Sequence, residues 1–431
     1  MTKKPFPIVE VTLDAIVGGG QTIGTLEDGR KIFVWGGLPT ETVRVQIMKK
    51  KSSYAEGIMV EVLKPSKERV EPKDPGSYLS TSPWQIMALP TENHYKAALI
   101  EEAFELHNIV LPNPIEVFSD GVDYAYRNKV EFSFWFEVET QKLSLAFFRR
   151  GSHGKITIDG TSLATDVINV KGKQVLDALN ELKVIGRSLK TLLIRSSADG
   201  RVAWQLYVKD EDFPAQELRA LFPKAENSEI IYSNPKSPAS VITKKLTPTA
   251  QPLTDTILGV PFHYATEGFF QINLTVYEES LKDMKAWVQQ GRQVVDLYSG
   301  VGTIGLTIGG EDVTLVEVNE HAVREMERNI QTLGISATAI LAASEKALDY
   351  ITANKTIIVD PPRAGLHEDV VEKLLSERPA RIIYLSCNPV TQARDVARLA
   401  EAYGVAYHKG YNFFPHTPHI EHLVVLDLVE I

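Results

Sequence analysis

Short runs of alternating apolar and polar residues, separated by glycines, fill residues 1–63. The runs are IVEVTLDAI, TIGTL, KIFVWG, TVRVQIMKKK and AEGIMVEVLK. Alternation over four to eight residues predicts strands with one buried face. Several short strands with turn signals between them are typical of a small β-barrel. We therefore expect an OB-like barrel in residues 1–63.

The pattern changes twice further along the chain. The charged, proline-containing segment 64–76 predicts a linker, and a helical period follows from about Thr91 to Leu106. Between about 124 and 245 the alternating runs are KVEFSFWFEV, KLSLAFFRR, KTLLIRSS and VAWQLYVK. These runs predict an antiparallel sheet with one face in solvent. We assign residues 64–250 to a central β-rich domain.

Apolar strands alternate with helical segments from about Gln293 onward. The predicted strands are VVDLY, TLVEV, TAILA, TIIVD, RIIYLS and HLVVLDL. A βαβ rhythm predicts a parallel, doubly wound sheet that binds ligands at the carboxyl ends of its strands. The expected fold class is therefore α/β, with a Rossmann-like domain in residues 251–431 preceded by the two β-rich units.

Composition narrows the class of protein. The apolar fraction of 44% and the charged fraction of 23% are those of a globular protein. No apolar run approaches the roughly 20 residues of a membrane span, and the N-terminal residues lack the apolar core of a signal peptide. We therefore expect a cytoplasmic monomer with no membrane partner. A formal net charge of -9 argues mildly against nucleic acid, although basic patches occur at 49–51, 149–150 and 244–245.

A glycine loop follows the first strand of the C-terminal region. Gly300, Gly302 and Gly305 have the GxGxxG spacing, which lets backbone approach a ligand closely. Asp296 precedes the loop, where a carboxylate could meet the cationic amino-acid end of S-adenosylmethionine. Glu317 ends the next strand and could bind a ribose. An NAD-dependent oxidoreductase remains open from this loop alone.

Two more loops are predicted at the same edge of the sheet. DPPRAGL begins at Asp360, and CNP begins at Cys387, each directly after a predicted strand. Methyltransferases that modify exocyclic amines commonly carry Asn-Pro-Pro-aromatic where DPPR stands. Amine methylation is therefore disfavoured, and the NAD interpretation is weakened.

The lone cysteine suits another kind of methyl transfer. Carbon 5 of uracil becomes nucleophilic only after a group adds to carbon 6, and a thiolate is suited to that addition. Cys387 is the only cysteine, so it is either an inert small apolar residue or this nucleophile. A base must then remove the proton from carbon 5, and Glu421 is the best candidate. His416, His419 and His422 lie nearby in sequence, but their spacing does not place them on one face of a strand, which disfavours a metal site.

The motifs together resemble those of the bacterial TRAM-domain RNA (uracil-5-)-methyltransferases. FFQIN at 269–273, DLYSGVGTIGL, DPPRAGL, YLSCNPVTQARD and FPHTPHIEH occur in that family's order, WGGLPTETVRV resembles the TRAM barrel, and YRNKVEFSF through FFRRGSH resembles its RNA-binding sheet. The resemblance implies S-adenosylmethionine as cofactor, contacted by Gln271, Tyr298, Glu317 and Asp360. It also implies Cys387 as nucleophile, Glu421 as base and RNA as partner. The barrel favours a uridine of 23S ribosomal RNA over the T-loop uridine of tRNA, and an inactive RNA-binding module is the competing class.

The chain departs from that family at one place. Many members carry four cysteines for a [4Fe-4S] cluster, but the matching stretches here are KDPGSYLSTSPWQ and DGTSLA. One cysteine cannot ligate such a cluster, so we expect no iron-sulfur centre. We expect Ser77, Ser80, Ser82 and Ser162 to fill the space.

Overall fold

Five N-terminal strands close into a barrel in this computed structural model, which describes residues 7–429. The strands are β1 (Ile8–Ile16), β2 (Thr22–Thr25), β3 (Lys31–Trp35), β4 (Thr42–Lys50) and β5 (Tyr54–Lys64). Their order is β1-β2-β3-β5-β4, and pairing of β1 with β4 closes the barrel. The alternating positions Val43, Val45 and Ile47 point into its core, because successive side chains of a strand face opposite sides.

A close contact fixes the barrel against the C-terminal part of the chain. Gly20, at φ +84°, leaves so little room that a Cβ there would lie 2.1 Å from Pro418 Cβ. Trp84 donates from Nε1 to the Gly20 carbonyl at 3.0 Å and from its backbone to the His416 carbonyl at 3.1 Å. The barrel therefore abuts the loop that precedes the last strand.

A seven-stranded sheet forms the middle of the molecule. Its strands are β7 (Lys129–Glu137), β8 (Lys142–Phe148), β9 (Lys155–Ile158), β10 (Leu189–Ser196), β11 (Val202–Val208), β12 (Ser228–Tyr232) and β13 (Lys244–Lys245). All pairs are antiparallel except β11 with β12. One face packs on α3 (Asp166–Glu181), with α4 (Ala215–Ala220) at its edge. The opposite face was predicted to be in solvent, but part of it lies under residues 265–270.

The C-terminal sheet has eight strands in the order β18-β17-β16-β19-β20-β22-β21-β6. They are β6 (Val117–Phe118), β16 (Val294–Leu297), β17 (Val313–Glu317), β18 (Ala337–Leu341), β19 (Thr356–Val359), β20 (Arg381–Ser386), β21 (Tyr403–Tyr411) and β22 (Glu421–Leu428). The first five in this order are parallel, as predicted. β22 runs antiparallel to its neighbours, so the sheet is mixed, in contrast to the wholly parallel sheet expected.

Helices cover both faces of this sheet. They are α5 (Leu274–Trp287), α6 (Thr303–Ile308), α7 (Glu320–Leu333), α8 (Glu368–Glu377) and α9 (Pro389–Leu399), and the hairpin β14 (Leu253–Ile257) and β15 (Val260–Tyr264) precedes them. Two apolar clusters, one on each face, form the core. Within residues 7–429, no helix combines the length and apolar character that a membrane crossing requires.

The predicted domain boundaries need one correction. A short helix α1 (Tyr78–Thr81) and then α2 (Leu89–Glu105) follow the barrel, close to the helix expected at 91–106. Ile100 and Phe104 of α2 pack into the core of the C-terminal sheet, and β6 pairs with β21. Residues 89–118 therefore lie on the C-terminal sheet, although they were assigned to the central domain 64–250. Residues 1–6 and 430–431 of the predicted domains 1–63 and 251–431 lie outside the described residues.

Candidate functional site

A large cavity opens at the carboxyl ends of the parallel strands. Its volume is about 1810 Å³, above the roughly 300–1,000 Å³ of a usual ligand pocket, so it has room for two ligands side by side. Seven residues predicted from the sequence border it: Gln271, Tyr298, Gly300, Glu317, Asp360, Cys387 and Glu421. The topology explains this convergence for the five residues that end or follow parallel strands, which are Tyr298, Gly300, Glu317, Asp360 and Cys387, because the carboxyl ends of neighbouring parallel strands meet at one edge.

Glu317, at the end of β17, joins the glycine turn between β16 and α6 to the start of α7. Glu317 accepts from the Gly300 amide through Oε2 at 2.9 Å and from the Asn319 amide through Oε1 at 2.7 Å. Gly300 has φ +58°, and a Cβ there would meet nothing within 4 Å, so this position faces open space. Glu317 therefore orients the turn and keeps lone pairs for a ligand hydroxyl.

Two predicted cofactor residues lie behind this turn. Asp296 is fully buried and accepts from the Gly305 amide at 2.9 Å, and its Oδ1 has no partner among the described residues. Burial raises the pKa of Asp296 to about 8. Gly302, at φ +89°, packs so closely that a Cβ would lie 2.8 Å from Leu306 Cδ1. Neither residue borders the cavity. Both support the shape of the turn, and their contacts with a cofactor stay a prediction.

Tyr298 and Gln271 both border the cavity. Tyr298 adopts φ +64°, a conformation that non-glycine residues seldom take. Gln271 is held through its backbone, whose carbonyl accepts from Asn128 Nδ2 at 3.1 Å. Within residues 7–429, the Gln271 side-chain amide has no hydrogen-bond partner and is available to a ligand.

Cys387, Glu421 and Asp360 border the cavity and lie close enough to one another to interact electrostatically. Burial, together with the charges of Glu421 and Asp360, raises the pKa of Cys387 to about 12, and Arg363 opposes this increase. Burial, then Asp360, raises the pKa of Glu421 well above its usual range, and Glu421 Oε2 has no partner among the described residues. Burial raises the pKa of Asp360 to about 7. Burial and mutual repulsion therefore both favour the neutral forms of these three groups.

The DPPR loop and the cysteine loop are joined to each other. Asn388 caps α9 by accepting from the Val390 amide, and its Nδ2 donates to the Arg363 carbonyl at 2.9 Å. Thr391 Oγ1 donates to the same carbonyl at 3.1 Å. The Arg363 guanidinium has no carboxylate partner among the described residues and lies 3.4 Å from His419 Nε2. A cation without a carboxylate partner among the described residues therefore lies near the Cys387 thiol and lowers its pKa.

Buried polar groups of α2 fix the loop that leads to Glu421. Lys96 is fully buried, and its Nζ binds Glu92 Oε1 at 2.7 Å, Asn412 Oδ1 at 2.5 Å and the Phe414 carbonyl at 3.1 Å. The second oxygen of Glu92 accepts from the His416 amide at 2.8 Å. These bonds tie residues 412–416 to α2 and so set where β22 begins.

The three histidines near Glu421 have different surroundings. His422 is buried, with Nδ1 2.7 Å from Gln392 Oε1. His416 lies between Glu92 and Asp123, and His419 contacts Arg363. The three rings thus face separate partners.

Comparison with known proteins identifies the family. A model of the tRNA (Uracil-5-)-methyltransferase family matches residues 94–429. The chain belongs to this family. An uncharacterized RNA methyltransferase of Nitratidesulfovibrio vulgaris is 26% identical over 465 residues, covering 98% of this chain and 96% of the relative. One of Fusobacterium nucleatum is 28% identical over 447 residues, covering 97% and 95%.

A solved structure shows the same fold. The Pyrococcus abyssi tRNA (uracil-54, C5)-methyltransferase, in complex with S-adenosyl-L-homocysteine, has a TM-score of 0.79 and 21% identity. The match covers 97% of this chain and 100% of that one. The predicted family and fold class are thus confirmed, and the chain is an S-adenosylmethionine-dependent RNA uracil-5-methyltransferase. The NAD-dependent interpretation is accordingly wrong.

An aspartate organises the region where many members of the family carry cysteines. Asp74 accepts from the Ser162 amide at 3.1 Å, from Ser162 Oγ at 2.8 Å and from Gln85 Nε2 at 3.0 Å. Of the four serines expected to fill the space, Ser162 binds this carboxylate directly, and Ser82 accepts from Gln85 at 2.8 Å. Neither Ser77 nor Ser80 contributes a side-chain hydrogen bond among the described residues. Asp74 was missed, because nothing in its sequence surroundings marks it.

The basic patches are largely paired internally. Lys49 binds Glu56 at 2.6 Å, Lys244 binds Glu211 at 2.9 Å, and Lys245 binds Glu229 at 2.8 Å. Arg150 stacks on Trp35 at 4.2 Å. Two residues that border the cavity received no role from the sequence, Arg363 and Phe269, and Phe269 is 71% exposed. Both lie inside short motifs, Arg363 in DPPR and Phe269 in FFQIN, so their positions were usable signals.

Proposed function

We propose that the enzyme methylates carbon 5 of a uridine in RNA through a covalent intermediate, with Cys387 as nucleophile and Glu421 as base. The observation that carries this proposal is that they meet in one cavity with Asp360, although the three residues lie at the ends of three different strands. A buried carboxylate oxygen without a partner is costly unless it serves a ligand. Glu421 Oε2 is such an atom.

The cavity fits S-adenosylmethionine at its glycine-turn end. Gly300 leaves open space above the turn, and Glu317 and Gln271 offer acceptors and donors along the wall. Asp360 and Tyr298 also border the cavity. When bound there, S-adenosylmethionine supplies an electrophilic methyl group. The remaining volume, between Cys387 and Phe269, suits a flat base extruded from its strand.

Cys387 begins the reaction by adding to the ring. Its thiolate forms a bond to carbon 6, and the electron pair of the C5=C6 double bond moves onto carbon 5 and oxygen 4. Carbon 5 would then form a bond to the methyl carbon, while the bond between that carbon and the sulfonium sulfur would break and leave its electron pair on sulfur as a neutral thioether. Glu421 removes the proton of carbon 5. The released pair restores the double bond, and the bond between sulfur and carbon 6 breaks to return the thiolate.

Arg363 is the group that we propose activates the thiol. The raised pKa of Cys387 means that the thiol keeps its proton in the free enzyme. The Arg363 guanidinium opposes that shift for both Cys387 and Glu421. A nearby cation favours the thiolate, and the cationic sulfonium would add to this effect when bound.

The RNA target that we propose is a 23S ribosomal uridine, supported by the likeness of residues 35–45 to the TRAM barrel. A tRNA T-loop uridine is the second candidate. The P. abyssi structure favours it, because that tRNA enzyme matches 97% of this chain, barrel included. A barrel is therefore compatible with either RNA.

Methyl-labelled S-adenosylmethionine and separated RNA classes test the proposal. Label should enter ribosomal RNA from cells lacking this enzyme and should be recovered as 5-methyluridine. Label recovered as 5-methyluridine in tRNA would change the proposed target to tRNA and would support the same methylation chemistry. Label in neither RNA, or at an exocyclic nitrogen, would overturn the proposal.

A further inference from the structure

The segment from Ala265 to Gln271 forms a wall of the cavity without forming a helix or strand. It presents the exposed ring of Phe269 and the side chain of Gln271. An irregular segment lacks the repeating hydrogen bonds that fix a helix or sheet, so its shape depends on other groups. Those groups come from the central sheet.

Arg195 of β10 lies beneath this segment and is fully buried. Its Nη1 donates to the carbonyls of Ala265 at 3.3 Å, Thr266 at 3.4 Å and Gly268 at 2.6 Å, and its Nη2 donates to that of Phe270 at 2.8 Å. The guanidinium also lies 4.8 Å from the Tyr264 ring and 5.9 Å from the Phe270 ring. One side chain thus holds four carbonyls of the segment.

Lys129, the first residue of β7, and Asn128, which precedes it, bind further carbonyls of this segment. Lys129 Nζ donates to the Glu267 carbonyl at 2.9 Å, and Asn128 Nδ2 donates to that of Gln271 at 3.1 Å. Every carbonyl from Ala265 to Gln271 except that of Phe269 accepts from Arg195, Lys129 or Asn128. The segment is thus bound to the sheet nearly residue by residue.

The charge of Arg195 makes a purely structural role expensive. No carboxylate lies within ion-pair distance of it among the described residues. Burying an unpaired cation costs more than burying an apolar side chain of similar volume. A planar fork with several donors is, however, suited to carbonyls that point in different directions.

We propose that Arg195 is a positioning residue, which sets the backbone of residues 265–271 so that Phe269 and Gln271 face the reactants. This inference rests on the proposed function, because it assumes that the cavity holds the cofactor and a uracil of the RNA. It gives the central sheet a part in the reaction, since β10 fixes a wall of the reactive cavity.

The test uses Arg195→Lys, which keeps the charge but loses the fork, and Arg219→Lys as matched control. Arg219 also donates to backbone carbonyls, those of Pro223, Lys224 and Glu226 at 3.0, 3.2 and 2.7 Å, but in a loop outside the cavity. Misplacement of the wall by about 1 Å predicts a loss in kcat/KM of roughly 10²-fold for Arg195→Lys. Arg219→Lys should change it less than about threefold.

A double-mutant cycle separates positioning from general destabilisation. If Arg195 acts through Phe269, Arg195→Lys should cost little in a Phe269→Ala background, because coupled residues are not additive. Additive losses, or equal activity of the Arg195 and Arg219 variants, would overturn the inference. Lys129→Met provides a second variant with a smaller loss in the same direction, should Arg195→Lys not fold.

A readout without turnover separates this inference from the proposed function. Calorimetry with S-adenosylhomocysteine should show weaker binding for Arg195→Lys, as for Gln271→Ala, and unchanged binding for Arg219→Lys. A wild-type protein that methylates no RNA would refute the proposed function. Unchanged calorimetric affinity in Arg195→Lys would refute the role of Arg195.

Discussion

Alkylation of Cys387 tests the electrostatics of the site directly, because the chain has no other cysteine. Burial and the neighbouring Glu421 and Asp360 raise the pKa of this thiol from 9.0 to about 12. At pH 8 the thiolate fraction is then roughly 10⁻⁴, against about 10⁻¹ for an unperturbed thiol. A more basic thiolate is also more nucleophilic, which recovers part of this difference. The folded protein should therefore react with iodoacetamide roughly 30- to 60-fold more slowly than the unfolded chain.

The pH profile separates this effect from steric shielding. Rates measured by mass spectrometry should rise about tenfold per pH unit up to pH 10 in the folded protein, whereas the unfolded chain levels off above about pH 9. Arg363→Met should slow alkylation further, since its guanidinium lowers the pKa of the thiol. Arg398→Met, which removes an exposed ion pair with Glu368, should not. A folded rate that levels off near pH 9, or that exceeds the unfolded rate at pH 8, would refute the reasoning.

Three further predictions concern stability and ligand choice. Lys96→Met leaves the buried carboxylate of Glu92 without its cation, so urea unfolding should show a free energy of unfolding lower by about 3–5 kcal/mol. Lys173→Met, at an exposed helix position, is the control. A loss below about 1 kcal/mol in Lys96→Met would contradict the role assigned to the pair. Asp74→Asn removes a charged acceptor from the Ser162 contacts and should cost about 1–3 kcal/mol; an unchanged unfolding midpoint would show that this network does not stabilise the fold. Calorimetry should detect binding of S-adenosylhomocysteine and none of NAD, and tight NAD binding would contradict the assignment of the cavity.

Much of the site could be predicted because its residues follow strands directly. Cys387 and Asp360 each come after an apolar run, and parallel strands bring such positions to one edge of a sheet. The direction of β22 was not predictable in this way, because an apolar run has the same pattern in either direction. Glu421 nevertheless reaches the cavity, since it stands at the start of an antiparallel strand at that same edge.

Contacts between distant parts of the chain could not be predicted. Lys96 binds a loop more than 300 residues away, and Arg195 binds a segment about 70 residues away. No sequence pattern around Lys96 or Arg195 indicates burial, because a buried charged residue cannot be told from an exposed one by the sequence alone. The surroundings of Asp296 are a further example. Its position before the glycines predicts a ligand contact, and the structure adds that its carboxylate accepts from the Gly305 amide.

The covalent pathway is tested most directly by trapping. Each variant is incubated with substrate RNA and methyl-labelled S-adenosylmethionine and is then run on a denaturing gel. Glu421→Gln should accumulate a labelled protein–RNA complex, because addition and methyl transfer proceed but the proton of carbon 5 is not removed. Cys387→Ala should form neither the complex nor methylated RNA. Normal turnover by the Glu421 variant, or an adduct with the Cys387 variant, would contradict the mechanism.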